Sequence, residues 1–158
     1  MVAWFHAKKK TPRLRTLGQL SLFATLSPAE LRLIDGLLHE RRYLQDEIIF
    51  DEREEGQALY ITIGGRVLIC RQGEAGAGRI AEIGAGVVFG ELALLDDSPR
   101  SAQARAAEDC VLASLSRSDF ESLQDTHTVT ASKIALQLAR QLARQLRERN
   151  PADERISL

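Results

Sequence analysis

The spacing of apolar residues changes twice along the chain, and each change marks a different kind of structure. After Ser27 the apolar positions recur every three or four residues, so Leu31, Ile34, Leu37 and Leu38 share one helical face, with Leu20, Leu22, Phe23 and Leu26 placed to pack beside it. This helix has a start signal. Ser27 is an N-cap candidate, Pro28 stands at the first helical position, and Glu30 follows three residues after the cap. His39 reads as a solvated residue of its last turn. From Arg41 to Ser116 the period shortens to that of strands, in short runs broken by glycine. Candidates cover about 48–50, 58–62, 66–71, 79–83, 87–89, 101–106 and 111–116. Gly64-Gly65, between two apolar runs, predicts a tight hairpin, because a primed turn needs positive φ at its centre. Gly73, Gly76 and Gly78 predict a looser hairpin loop. So many short strands within about 75 residues imply a closed or double-sheet roll.

Beyond the strands the helical period returns. Ser118 and Glu121 suggest a capping box that opens a short helix to about residue 124. A long helix follows over about 129–149, stopped by Asn150-Pro151. Ile134, Ala135, Leu138, Ala139, Leu142 and Leu146 form its apolar stripe, bordered by Gln141 and Gln145, while Arg140, Arg144 and Arg147 form a solvated opposite face. The stripe has two possible uses, packing against the roll or pairing with a second copy. The fold class is therefore α+β: a β-roll of the double-stranded β-helix or jelly-roll kind, with N-terminal helices and C-terminal helices including one long one. Residues 1–15 read as a flexible basic arm, 16–150 as one domain with its roll at about 41–116 and C-terminal helices at about 117–149, and 151–158 as a tail. The arm joins Trp4 and Phe5 to Lys8, Lys9, Lys10, Arg13 and Arg15 and is broken by Pro12, which suits either a solvated terminus or a docking arm.

Composition narrows the classes. With 158 residues, 44% hydrophobic and 27% charged, the chain has the length and make-up of one globular domain. It lacks an apolar run of about 18 residues and a signal-peptide pattern, so a cytoplasmic location is expected. A net charge of −1 argues against a whole-surface nucleic-acid binder. Cys70 and Cys110 lie in separate apolar runs and read as two buried thiols. The histidines, His6, His39 and His127, are scattered, which supports neither a catalytic triad nor a metal cluster, and no Gly-Lys-Thr/Ser phosphate loop is present. No enzyme and no cofactor are expected.

One stretch carries candidate chemistry. Gly90 lets the main chain pass close to a ligand, and a short helical turn from about Glu91 to Leu95 would aim free N–H groups at an anion. Arg100, set by Pro99, offers a planar fork for phosphate oxygens. An acid, Glu91, beside a phosphate site needs a hydrogen-bond donor of its own, and a sugar hydroxyl is one. Phosphate with ribose makes a nucleotide.

Gly90, Glu91, Leu92, Ala93 and Leu94, followed by Pro99, Arg100, Ser101 and Ala102, closely resemble the phosphate-binding cassette of the cyclic nucleotide-binding domain family. The resemblance implies that Glu91 takes the ribose 2′-hydroxyl and Arg100 the cyclic phosphate. Gly90, Leu92, Ala93 and Ala102 would offer backbone groups, and Ser101 a hydroxyl. In the family's dimeric bacterial sensors the long helix pairs with its twin and reaches the base, which implies roles for Gln145 and Gln141. The implied ligand is cAMP, with cGMP or cyclic di-GMP as alternatives, and the implied output is signalling to a protein partner through the C-terminal helices. A structural or scaffolding module that keeps the fold without a ligand is the alternative. The family's transcription factors continue into a helix-turn-helix, whereas here seven residues follow Pro151, so no direct sequence-specific DNA binding is expected. Two departures stand out: Gly86-Val87 where a Gly-acid turn is usual, and Asp46 where glycine is common.

Overall fold

The computed structural model describes residues 11–73 and 76–149. Two four-stranded antiparallel sheets face each other. The first has the order β1 (His39–Tyr43), β8 (Cys110–Ser116), β3 (Ala58–Gly64), β6 (Val88–Phe89); the second has β2 (Ile48–Phe50), β7 (Gln103–Ala106), β4 (Val67–Gly73), β5 (Gly76–Ile83). Strand alternation sorts the core into two layers. Leu59 and Ile61 of β3, with Ala113 and Leu115 of β8, pack against helices, while Tyr60, Cys110 and Leu112 face the second sheet with Phe50, Val67 and Phe89. The first sheet is thus the buried middle layer, and the roll expected from the strand pattern is present.

Among the described residues four α-helices complete it: α1 (Pro12–Gln19), α2 (Pro28–Leu37), α3 (Arg117–Thr126) and α4 (Thr128–Arg149). The capping box at α2 forms as expected. Ser27 Oγ accepts from the Glu30 N–H at 3.2 Å, and Glu30 Oε1 accepts from the Ser27 N–H at 3.0 Å. Glu30 also accepts from Lys133 Nζ and Thr130 Oγ1, each at 2.6 Å, and so ties α2 to α4. The Lys133 ammonium above all, then the Ser27 N–H and Thr130, holds this carboxyl down at about 2.

Several expectations need correction. His39 does not end a helix: α2 stops at Leu37, and His39 opens β1, where its Nε2 lies 3.3 Å from Asp119 Oδ2. Pro12 does not break an arm but opens α1, with Thr11 as its N-cap and Leu14 and Leu17 buried. Trp4, Phe5 and the three lysines, like the 151–158 tail, lie outside the described residues. Gly64-Gly65 joins no hairpin, because β3 and β4 belong to different sheets. Gly65 does have φ +83°, and a Cβ there would come within 2.6 Å of the Asp109 carbonyl oxygen and of Cys110 Cβ. The glycine serves a crossing between sheets. The α3 cap is Ser116 rather than Ser118, accepting from the Asp119 N–H at 3.1 Å. The β4–β5 ladder runs on to Gly73 opposite Gly76, so that hairpin is tighter than expected. At the two departures the turns form nonetheless. Gly86 (φ +80°) donates to the Thr62 carbonyl at 2.7 Å, and Asp46 itself adopts φ +70°.

Candidate functional site

β6 ends at Phe89, and Gly90, with φ +68°, turns the chain into a single 3₁₀ turn, Glu91–Leu94. Ala93 and Leu94 are buried beneath this turn and fix it to the core, which leaves Glu91 half-buried and Leu92 exposed. The chain then closes on itself, Asp96 accepting from the Ser98 N–H at 3.1 Å and from its hydroxyl at 2.9 Å. Pro99 bridges to Glu55, the Arg100 N–H donates to the Glu54 carbonyl at 2.7 Å, and the Arg53 N–H donates back to the Arg100 carbonyl at 2.8 Å. The main chain of Arg100 is thereby clamped from both sides.

A cavity of about 360 Å³ opens here, and it gathers most of the expected residues: Gly90, Glu91, Leu92, Ala93, Arg100 and Ser101 all line it. Gln145 of α4 joins them, although it lies more than forty residues away in sequence. Ala102 does not reach the lining. It is buried behind it, 8% exposed. Gln141 does not reach it either, because its position on α4 turns it to a separate cleft with Gln19, Ser21 and Val87. The stripe on α4 is also narrower than expected. Ile134 and Leu138 are buried and Leu142 packs on the same core, but Ala139 and Leu146 face away.

The Arg100 side chain departs from its expected pose. Its guanidinium is turned inward, Nη1 donating to the Gly90 carbonyl at 2.9 Å and Nη2 to that of Ala58 at 2.6 Å, with the group 4.1 Å over the Phe50 ring. Nε has no partner among the described residues. Phe50 stands 5.7 Å from Tyr60 and 6.0 Å from Phe89, so the cation caps an aromatic cluster inside the roll. Burial lowers its pKa from the ordinary arginine value, against the nearby charge of Glu54 and Glu91.

Several residues of the site escaped the sequence. Arg71 of β4 lines the cavity, Nε donating to the Ser101 carbonyl at 3.2 Å, and Leu142 and Arg149 of α4 line its far wall. Arg117, the first residue of α3, stands behind the cassette and holds it together. Its Nε donates to the Ala93 carbonyl and its Nη2 to that of Asp96, each at 2.7 Å; Nη2 also donates to the Gly56 carbonyl, and Nη1 pairs with Asp97. Among the described residues the charged side chains of the cavity wall are Arg71, Arg100 and Arg149 against Glu91 and Asp96, which leaves one positive charge in excess. Among the described residues no cluster of three or more metal-ligating side chains forms, and no helix is long and apolar enough to cross a membrane.

Comparison with known proteins agrees with this fold. The profile of the cyclic nucleotide-binding domain matches residues 40–127. The cyclic AMP receptor protein of Thermus thermophilus is 39% identical over 118 residues, 74% of this chain and 55% of the relative. A cAMP-dependent protein kinase regulatory subunit of Aspergillus niger is 34% identical over 107 residues, 68% of this chain and 26% of the relative. The crystal structure of a cyclic nucleotide-binding domain from Methylobacillus flagellatus superposes with a TM-score of 0.78 at 25% identity, covering 93% of this chain and 83% of that one. The chain thus spans about half the length of the Thermus receptor and a smaller share of the kinase subunit.

Proposed function

Since the chain belongs to the cyclic nucleotide-binding domain family, we propose that it is a cytoplasmic sensor of a 3′,5′-cyclic mononucleotide, cAMP first, which signals to a protein partner through its C-terminal helices. The observation that carries this reading is the cavity itself, which the 90–101 segment and Gln145 of α4 line together. One excess positive charge suits a singly charged cyclic mononucleotide better than a doubly charged cyclic dinucleotide. Glu91 would accept from the ribose 2′-hydroxyl. Gly90, Leu92 and Ala93 would supply main-chain groups to the phosphate, Ser101 its hydroxyl, and Gln145 would meet the base. Arg100 would give up carbonyl bonds to engage the phosphate, and that exchange makes binding depend on conformation. Only the difference in contact energy between the two arrangements can move α3 and α4, which are linked to the cassette through Arg117. The role is regulatory rather than catalytic.

A second copy is one partner that α4 could accept. Val129, Leu136 and Leu146 are 69%, 52% and 63% exposed, and with Ala139 and Ala143 they follow the three-and-four spacing of a coiled-coil seam. This seam is distinct from the buried face of Ile134 and Leu138. If it pairs copies, sedimentation should detect a dimer that Leu136→Arg converts to monomer; a monomeric parent chain would end the idea. Isothermal titration calorimetry tests the main reading. Heat with cAMP that disappears in Arg100→Ala and weakens in Glu91→Ala supports it, and no heat with any cyclic nucleotide from folded, nucleotide-free protein favours a ligand-independent module.

A further inference from the structure

The cavity has one feature that a cAMP site does not require. Its far wall is built by α4, where Leu142, Gln145 and Arg149 fall on one helical face and meet the cassette across the opening. The cassette end is committed to phosphate and ribose by Glu91, Arg100 and Ser101, and Arg71 leans over that same end through its bond to the Ser101 carbonyl. A purine held there has the α4 wall left to read it. Leu142 offers apolar contact, and two polar side chains one helical turn apart offer hydrogen bonds.

Those two side chains differ in what they can tell apart. At position 6 adenine carries a donor amino group and guanine an acceptor oxygen, with N7 an acceptor in both. The Gln145 amide has both a donor and an acceptor and satisfies either base by turning over. A guanidinium has donors only, so Arg149 matches the O6 and N7 pair of guanine and opposes the amino group of adenine with like polarity. Among the described residues Arg149 has no hydrogen-bonded or ionic partner, and its exposed side chain is free to turn to a base edge. The neighbouring carboxylates do not claim it: Asp96 is engaged by Ser98, and Glu91 lies at the ribose end.

We propose that Arg149 is a specificity-determining residue which reads the 6-oxo edge of the purine, so that this cavity accepts cGMP alongside cAMP. The inference rests on the cyclic-nucleotide reading of the cavity. One well-formed bidentate contact separates bases by about fivefold or more, and an exposed side chain belongs at the low end of that range.

The experiment is calorimetric titration of the full chain and of Arg149→Gln with cAMP, cGMP and cyclic IMP, which shares the 6-oxo edge of guanine without its 2-amino group. The expected result is that the parent chain binds cGMP and cyclic IMP within about tenfold of cAMP. Arg149→Gln should then lose about fivefold or more towards both oxo-purines while cAMP affinity holds or rises. A parent preference for cAMP of more than about tenfold over both oxo-purines overturns the assignment, as does a substitution that moves all three ligands equally or not at all. Arg100→Ala separates the two levels. If no nucleotide binds the parent chain, or if binding ignores Arg100, the cavity reading falls and this inference falls with it. If binding depends on Arg100 but the ratio ignores Arg149, this inference alone falls.

Discussion

Replacing Gly90 by alanine should loosen the cassette through two separable effects, and Gly86→Ala can tell them apart. Both glycines have positive φ, +68° and +80°, so a side chain at either costs about 1–2 kcal/mol of backbone strain. They differ in surroundings. A Cβ at Gly86 meets nothing within 4 Å, whereas one at Gly90 would sit 2.6 Å from Arg100 Nη1, far inside contact distance. The guanidinium would have to move, breaking its 2.9 Å bond to the Gly90 carbonyl, and a hydrogen bond from a charged group contributes about 1.5–3 kcal/mol. Gly90→Ala should therefore be the less stable variant by about 2 kcal/mol, which for a chain of this size is roughly 4–8 °C in melting temperature. Circular-dichroism melts of both variants measure the difference, and cAMP titration should find affinity altered in Gly90→Ala alone. Equal melting temperatures with equal affinities would refute the account of Arg100 as a group seated on the Gly90 carbonyl.

Arg117→Ala should release the Gly56, Ala93 and Asp96 carbonyls together, a loss of about 2–4 kcal/mol, and raise hydrogen-exchange rates across 91–97. Unchanged exchange there would show that the cassette does not depend on this clamp. Glu30, held at about 2 against an ordinary 4.5, stabilises the fold above pH 4.5, and that contribution fades as pH falls towards 2. The melting temperature of the parent should accordingly exceed that of Glu30→Gln at pH 7, with the gap narrowed at pH 3 and closing only as pH approaches 2. A gap independent of pH would mean that the carboxylate charge is not what binds α2 to α4.

How far the sequence could be read depended on whether a signal was local. The 90–102 segment was legible because its glycine, acid, proline and arginine act on groups a few residues away, and the capping box at Ser27 was legible for the same reason. Arg71, Arg117 and Arg149 were not, because each reaches the site from an element that only the topology brings near. Gln145 entered through a family resemblance rather than through its spacing, and the same resemblance misplaced Gln141 by one helical turn. β1 escaped because it is an edge strand of His, Glu, Arg, Arg and Tyr, whose charges erase the alternation that identifies strands. At Gly65 the positive φ was anticipated correctly, but its cause was a close approach to Cys110 rather than a hairpin.

The inward pose of Arg100 has a thermodynamic consequence. Two carbonyl oxygens and an aromatic ring already occupy the group that a phosphate would use, so the protein carries a built-in competitor for its own ligand. An internal competitor is always present at the same effective concentration, and it lowers apparent affinity by the fraction of molecules in which it wins. The nucleotide level at which such a sensor responds is then adjustable from behind the site. Changes near Phe50 or the Ala58 carbonyl would reset the threshold while every ligand-contacting residue stayed the same.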